Sequence, residues 1–233
     1  MAATKPSLRP RSNPPSLLGV GGFAVFDRLP GLPHPAALLN EAVSLARHSE
    51  RQHHDNDASE DGRGGAPARR LFSSPGGAIQ NAGYAGNELQ QFVADVVGAP
   101  VRPSGGQGTY SYYVRPGDYL GLHRDIEECD VAVITSLCDA GGAGGSGALV
   151  LYPKRISEPL SQIRSMPDAG SISVHLRPGQ TIVLLGGYVP HATMPMGRGQ
   201  KRIISVLCFR AFEAASSVFR RGGNRFAAEN ATE

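Results

Sequence analysis

Several things are scarce in this chain, and each scarcity excludes something. Cysteine occurs three times, at Cys129, Cys138 and Cys208, with no CxxC pair. An odd count without that pair argues against a disulfide framework or a zinc knuckle, and for free thiols in a reducing cytoplasm. The longest apolar run, TIVLLGGYV over 181–189, is far too short to span a bilayer. The opening stretch, MAATKPSLRPRSNPPSLLGVGG, holds four prolines and no continuous apolar segment. It does not read as a secretory signal, so a cytoplasmic protein without membrane association is expected. There is no run of like charges long enough to form a basic arm, and the net charge is only +3. Nucleic acid is therefore not an expected partner.

What the chain does have is 233 residues with a hydrophobic fraction of 40%, enough for one sizeable core. Residues 1–18 read as a flexible, proline-rich lead-in. GFAVFDRL (22–29) predicts a first strand. HPAALLNEAVSLARHS (34–49) has leucine and valine at helical spacing, with Pro35 in the first turn. ERQHHDNDASEDGRGGAPARR (50–70) shows no apolar periodicity and reads as a lid or a disordered loop. GNELQQFVADVVG (86–98) predicts a helix closed by Gly98. After Pro103, seven or eight short β-type runs follow, separated by glycine, proline and aspartate clusters. This pattern predicts a β-sandwich or barrel with helices packed outside. The expected organisation is one domain over 19–212, helical to about 100, with a β core over about 104–212. A C-terminal helix and tail over 213–233 follow. No internal repeat is present, and nothing points to a particular oligomeric state.

The stretch GLHRDIEECD (121–130) sets His123 and Asp125 two residues apart, just past a strand-like segment. In extended backbone such residues face one side and can share a cation. A third ligand is available in His191, between the strands QTIVLLGG and RIISVLCF. Two imidazoles and one carboxylate occupy one face of an octahedron and leave positions open, as in non-haem Fe(II) oxygenases. A structural zinc site would be closed and tetrahedral. His34, His48, His53, His54 and His175 sit in a helix start, a polar loop or a strand end and read as non-ligands. Arg124, between the two ligands, is expected to face away from them, solvated or in a salt bridge. Glu127, Glu128 and Asp130 form an acidic loop that either is simply solvated or attracts a cationic substrate group. Lys201 and Arg202 stand ten and eleven residues beyond His191, and on a neighbouring strand only one of them points inward. The inward one would hold a carboxylate, Arg202 with a fork and Lys201 as a point charge.

Over about 108–212 the chain resembles the 2-oxoglutarate/Fe(II)-dependent dioxygenase superfamily, and more closely its prolyl-hydroxylase-like branch. The resemblance lies in YVRPGDYLGLHRD, GGSGALVLYP and PHATMPMGRGQKR, in that order and spacing. It implies a double-stranded β-helix, the jelly-roll or cupin-like barrel. It implies that His123, Asp125 and His191 hold Fe(II), with 2-oxoglutarate and O2 as cosubstrates. It implies that Lys201 or Arg202 binds the far carboxylate of 2-oxoglutarate. Ser205 and Tyr113, or Tyr112 in its place, would complete the same cleft. Because Asp125 is retained, hydroxylation is expected rather than halogenation. The expected substrate is a small molecule, an amino acid or a natural-product intermediate. A protein side-chain hydroxylase, a nucleic-acid demethylase and a non-catalytic metal-binding β-barrel are the alternatives.

Overall fold

Register between strands distant in sequence decides what this chain brings together. The structure, a computed structural model, describes Leu17 and residues 21–55, 57–59, 63–139 and 146–211. The expected lead-in, Leu17 apart, and the expected C-terminal helix and tail lie outside the described residues. The amino-terminal part comprises β1 (Phe23–Phe26), α1 (Pro35–Leu45), β2 (Glu50–His54), β3 (Ala58–Ser59), β4 (Gly65–Ala66), β5 (Arg69–Pro75), α2 (Ala78–Tyr84), α3 (Asn87–Val97) and β6 (Val101–Pro103). Next come β7 (Thr109–Tyr113), β8 (Tyr119–His123), β9 (Val131–Asp139), β10 (Leu149–Leu151) and α4 (Leu160–Ser165). The last elements are β11 (Ile172–Val174), β12 (Thr181–Leu184), β13 (His191–Thr193) and β14 (Arg202–Ala211).

Twelve strands join one antiparallel sheet in the order β1-β12-β9-β14-β7-β5-β8-β13-β10-β11, with β2 on β5 and β6 on β14. The protein is a mostly β double-stranded β-helix with few helices. The helices back one face of the sheet. Tyr112 on β7 donates from its hydroxyl to Ala42 O on α1 at 2.8 Å, and Tyr110 donates to Glu41 at 2.7 Å. Alternation along β7 then turns Ser111 and Tyr113 to the opposite, inward face. Helix α3 buries Leu89, Val93, Val96 and Val97 on one stripe and ends at Gly98, whose φ of 76° is the left-handed closing conformation. Among the described residues, no helix is long and apolar enough to cross a membrane.

Two expectations differ from the structure. The segment 50–70 is not a plain loop: β2 pairs along its whole length with β5, from Glu50↔Ser73 to His54↔Arg69, and β3 and β4 form a small hairpin between them. Strand β2 is a sheet edge with little apolar content, so its pairing comes from β5 and left no period-2 signal to read. Cysteine is the second correction. Cys129 and Cys208 are joined by a disulfide with Cα atoms 4.9 Å apart, while Cys138 is free. Cys208 on β14 lies opposite Ala132 on β9, and Cys129 just precedes β9. Register therefore brings together two thiols 79 residues apart. The free-thiol argument for a reducing compartment falls with it.

Candidate metal centre

A bulge in β8 aims the first candidate ligand. His191↔His123 and Thr193↔Leu120 are successive pairs between β13 and β8, so three steps on β8 oppose two on β13. Leu120 packs against the main core, whereas Leu122 packs outward with Val150, Tyr152, Leu160 and Ile163 under α4. The extra residue lets His123 return to the inward face beside Leu120, a common use of bulges beside functional sites. Gly121 occupies the bulge. Its N–H donates to Ala68 O at 2.7 Å, and a Cβ there would stand 2.9 Å from that same oxygen.

His191 begins β13, directly opposite His123, and the two ring centroids are 4.3 Å apart. Asp125 lies just beyond β8, held by its N–H donating to Gly186 O at 2.9 Å. Its Oδ1 stands 3.4 Å from His123 Nε2 and 3.6 Å from His191 Nε2. One ligand atom from each residue falls within 4.8 Å of the others, and among the described residues no other group of His, Cys, Asp or Glu does this. His34, His48, His53, His54 and His175 stay outside the cluster. Both candidate imidazoles turn Nδ1 to a carbonyl, His123 to Gly121 O at 2.8 Å and His191 to Val189 O at 2.9 Å. That assigns the proton to Nδ1 and leaves Nε2 as a lone-pair donor. The second carboxylate oxygen, Asp125 Oδ2, is buried with no protein partner. Burial alone would push the Asp125 carboxyl up, but the two imidazoles, His191 foremost, outweigh it and hold it well below the ordinary range. Burial likewise opposes charge on His191, and the Asp125 carboxylate overrides it and raises that imidazole. Two nitrogens and one carboxylate oxygen on a single side suit a divalent transition metal with open positions.

The inward face of the sheet carries a buried cation. Arg202 pairs with Tyr113 on β7 and Asp139 on β9, is 2% exposed, and donates through Nη1 to Gly147 O at 2.7 Å. Its Nε has no partner. Burial pushes its guanidinium below the ordinary value, with Tyr113 and Asp139 opposing. Lys201 is exposed just before β14 begins. Tyr113 shares the inward face with Arg202, and its hydroxyl meets the Thr193 side chain. Tyr112 faces α1 instead. Ser205 also lies on the helix side, accepting from Gln80 Nε2 at 2.7 Å, so the structure does not bring it to the inward face.

No family model matches this chain, and no curated protein matches it. Solved structures do. A prolyl-4-hydroxylase from Pseudomonas putida superimposes with a TM-score of 0.54 at 20% identity, over 84% of this chain and 96% of that one. The non-haem α-ketoglutarate-dependent epimerase SnoN of nogalamycin biosynthesis gives 0.59 at 13% identity, over 82% and 78%. HygX from Streptomyces hygroscopicus, with nickel, 2-oxoglutarate and hygromycin B bound, gives 0.56 at 14% identity, over 82% and 84%. The chain has the 2-oxoglutarate/Fe(II) oxygenase fold.

Three residues that the sequence did not single out bear on the candidate centre. Ser136 on β9 lies opposite inward-facing Ile204, is fully buried, and its hydroxyl has no partner. Gly186 leaves the space Asp125 Oδ2 occupies, since a Cβ there would overlap it. Arg63, from the segment expected to be a lid or disordered loop, donates to Asp125 O at 3.2 Å, to Ile126 O, and to Asp130 Oδ1 at 2.6 Å. It also lies over the Tyr188 ring at 5.5 Å. Asp130, whose Oδ2 accepts from Ala211 N at 2.8 Å, is thereby held in the framework, while Glu127 and Glu128 are exposed. Arg124 faces away from the ligands, but it is buried and not solvated. It donates to Tyr188 O at 3.2 Å, Ile156 O at 2.9 Å and Glu158 O at 2.8 Å, tying the HxD segment to the loop before His191.

Proposed function

We propose that this chain is a non-haem Fe(II)/2-oxoglutarate-dependent oxygenase that hydroxylates an unactivated C–H bond of a small molecule. The observation that carries the reading is the convergence of His123, Asp125 and His191 on one inward face, with Asp125 Oδ2 unpartnered. His123 Nε2, Asp125 and His191 Nε2 would hold Fe(II). The unpartnered Arg202 Nε and Ser136 hydroxyl, with Tyr113 beside them, would receive the far carboxylate of 2-oxoglutarate. When bound, the iron supplies the dioxygen chemistry that couples decarboxylation of 2-oxoglutarate to succinate with insertion of one oxygen atom into the substrate.

The protein's own share is placement. Gly121 and Val189 carbonyls orient the two imidazoles, so their donor atoms need no reorganisation on metal binding. Arg202 sits on the sheet's inward face, where water is excluded and a charge-assisted bond is strong. Arg63 straps the Asp125–Asp130 segment from outside. A small-molecule substrate is supported by two structures of like fold, one from nogalamycin biosynthesis and one holding hygromycin B.

Anaerobic titration with Fe(II) and then 2-oxoglutarate should produce the weak visible charge-transfer absorption of an iron-chelated keto acid. Screening amino acids and related amines for substrate-triggered succinate release then finds the substrate. His123→Ala and Asp125→Ala should abolish both signals. Full turnover by either variant refutes the metal assignment.

A further inference from the structure

Arg202 is not the only cation on the inward face. Odd-numbered residues of β5 point inward, because Phe72 and Ser74 lie opposite Tyr112 and Tyr110, which face the helices. Leu71 is accordingly buried in the core, and Arg69 shares its face. Arg69 is in register with Leu120, Leu120 with Thr193, and Thr193 with Leu149. The adjacent row across the same strands is His123, His191 and Leu151. The two rows lie about 7 Å apart, two residues along a strand. Arg69 thus stands beside the candidate metal row, on the side away from the helices. On its other flank it pairs with His54 of edge strand β2, which is exposed, so the row opens to solvent there.

The bonding of Arg69 sets it apart. Arg51, Arg63, Arg70, Arg155 and Arg164 each meet a carboxylate within 2.8 Å. Among the described residues Arg69 meets none, and its Nε is sealed from solvent with no hydrogen-bond partner there. An arginine edge with Nε and one Nη free is a planar pair of donors that matches a carboxylate. The rest of the side chain is only partly buried, so an incoming ligand can reach it.

We infer that Arg69 anchors a carboxylate of the substrate, and that this chain acts on anionic small molecules. The inference rests on the oxygenase reading, which makes the open side of the row the substrate side. The test uses the full chain loaded with Zn(II) and saturating 2-oxoglutarate, so that Arg202 is engaged. Saturation-transfer NMR then compares N-acetylglycine with N-acetylglycinamide, neutral at the same shape. The acid should bind wild type and the amide should not. Arg69→Gln should weaken acid binding at least about tenfold, and Arg69→Lys should fall between. Thermal stabilisation by 2-oxoglutarate should be unchanged in Arg69→Gln, which also shows that the variant folds. Equal binding of acid and amide, no acid binding in wild type, or undiminished binding in Arg69→Gln overturns the inference. So does loss of the 2-oxoglutarate effect in Arg69→Gln, since Arg69 would then serve the cosubstrate. If wild type itself is not stabilised by Zn(II) and 2-oxoglutarate, the oxygenase reading fails. The acid–amide comparison then remains readable in an Arg202→Met background, free of the other inward cation.

Discussion

Two single side chains divide the work that sequence spacing left open between them. Lys201 and Arg202 are adjacent, and strand parity allows one of them inward; which one depends on where β14 starts. The strand begins at Arg202, so Lys201 is left outside in solvent. Charged hydrogen bonds in a closed site contribute about 1.5–3 kcal/mol, which corresponds to roughly 10–150-fold in affinity. Arg202→Met should lower 2-oxoglutarate affinity by about that factor in calorimetry, and Lys201→Met should leave it within about twofold. The reverse result would assign the cosubstrate to the exposed lysine. Gly186 offers a sharper case, because the missing Cβ is what leaves room for Asp125 Oδ2. A methyl group there would overlap Asp125 Oδ2 and push the carboxylate off its position between the imidazoles. Outer-shell changes at metal sites cost about 10–100-fold in metal affinity. Gly186→Ala should fall in that range by Zn(II) titration while keeping its circular dichroism spectrum. An unchanged affinity would show that Asp125 is free to sit elsewhere.

At the scale of elements, legibility followed locality. His123 and Asp125 could be read because their relation spans two residues, and α3 because its apolar stripe and Gly98 are local. His191 was readable from its place between two strand-like runs. Ser136 and Arg69 carried no signature, since each owes its direction to pairing with a strand far away in sequence. The same is true of the bulge at Gly121, which turns His123 inward and exists only relative to β13. The Cys129–Cys208 bond was misread for the same reason: counting cysteines has no access to the register of β9 against β14. That bond closes a loop of 79 residues. In the chain-entropy account, a loop of that size is worth roughly 4.5 kcal/mol, and natural disulfides range over about 2–5 kcal/mol. Cys129→Ser/Cys208→Ser should lose stability in that range in urea unfolding, and a reducing agent should do the same to wild type and nothing further to the double variant. Identical unfolding curves with and without reductant would mean that the two thiols are not joined in solution.

For the molecule as a whole, the unpartnered buried polar groups are a liability until they are filled. Asp125 Oδ2, Arg202 Nε and the Ser136 hydroxyl are all buried without partners inside one sheet. Each such group typically costs about 1–3 kcal/mol relative to a satisfied one. Metal and 2-oxoglutarate would supply partners to all three while binding nothing comparable in the unfolded chain. At ligand concentrations near 100 times the dissociation constant, linkage adds about 2.7 kcal/mol per ligand. For a chain of this size that raises the unfolding midpoint by about 5–10 °C. Zn(II) should produce this rise alone, and 2-oxoglutarate should add to it only when metal is present, because the keto acid needs the metal as its second hold. EDTA should reverse both increments, His123→Ala should show neither, and Arg202→Met should keep the first and lose roughly half or more of the second. A rise from 2-oxoglutarate without metal, retained in His123→Ala, would separate the cationic cleft from the His–Asp–His cluster and show that the two do not form one site.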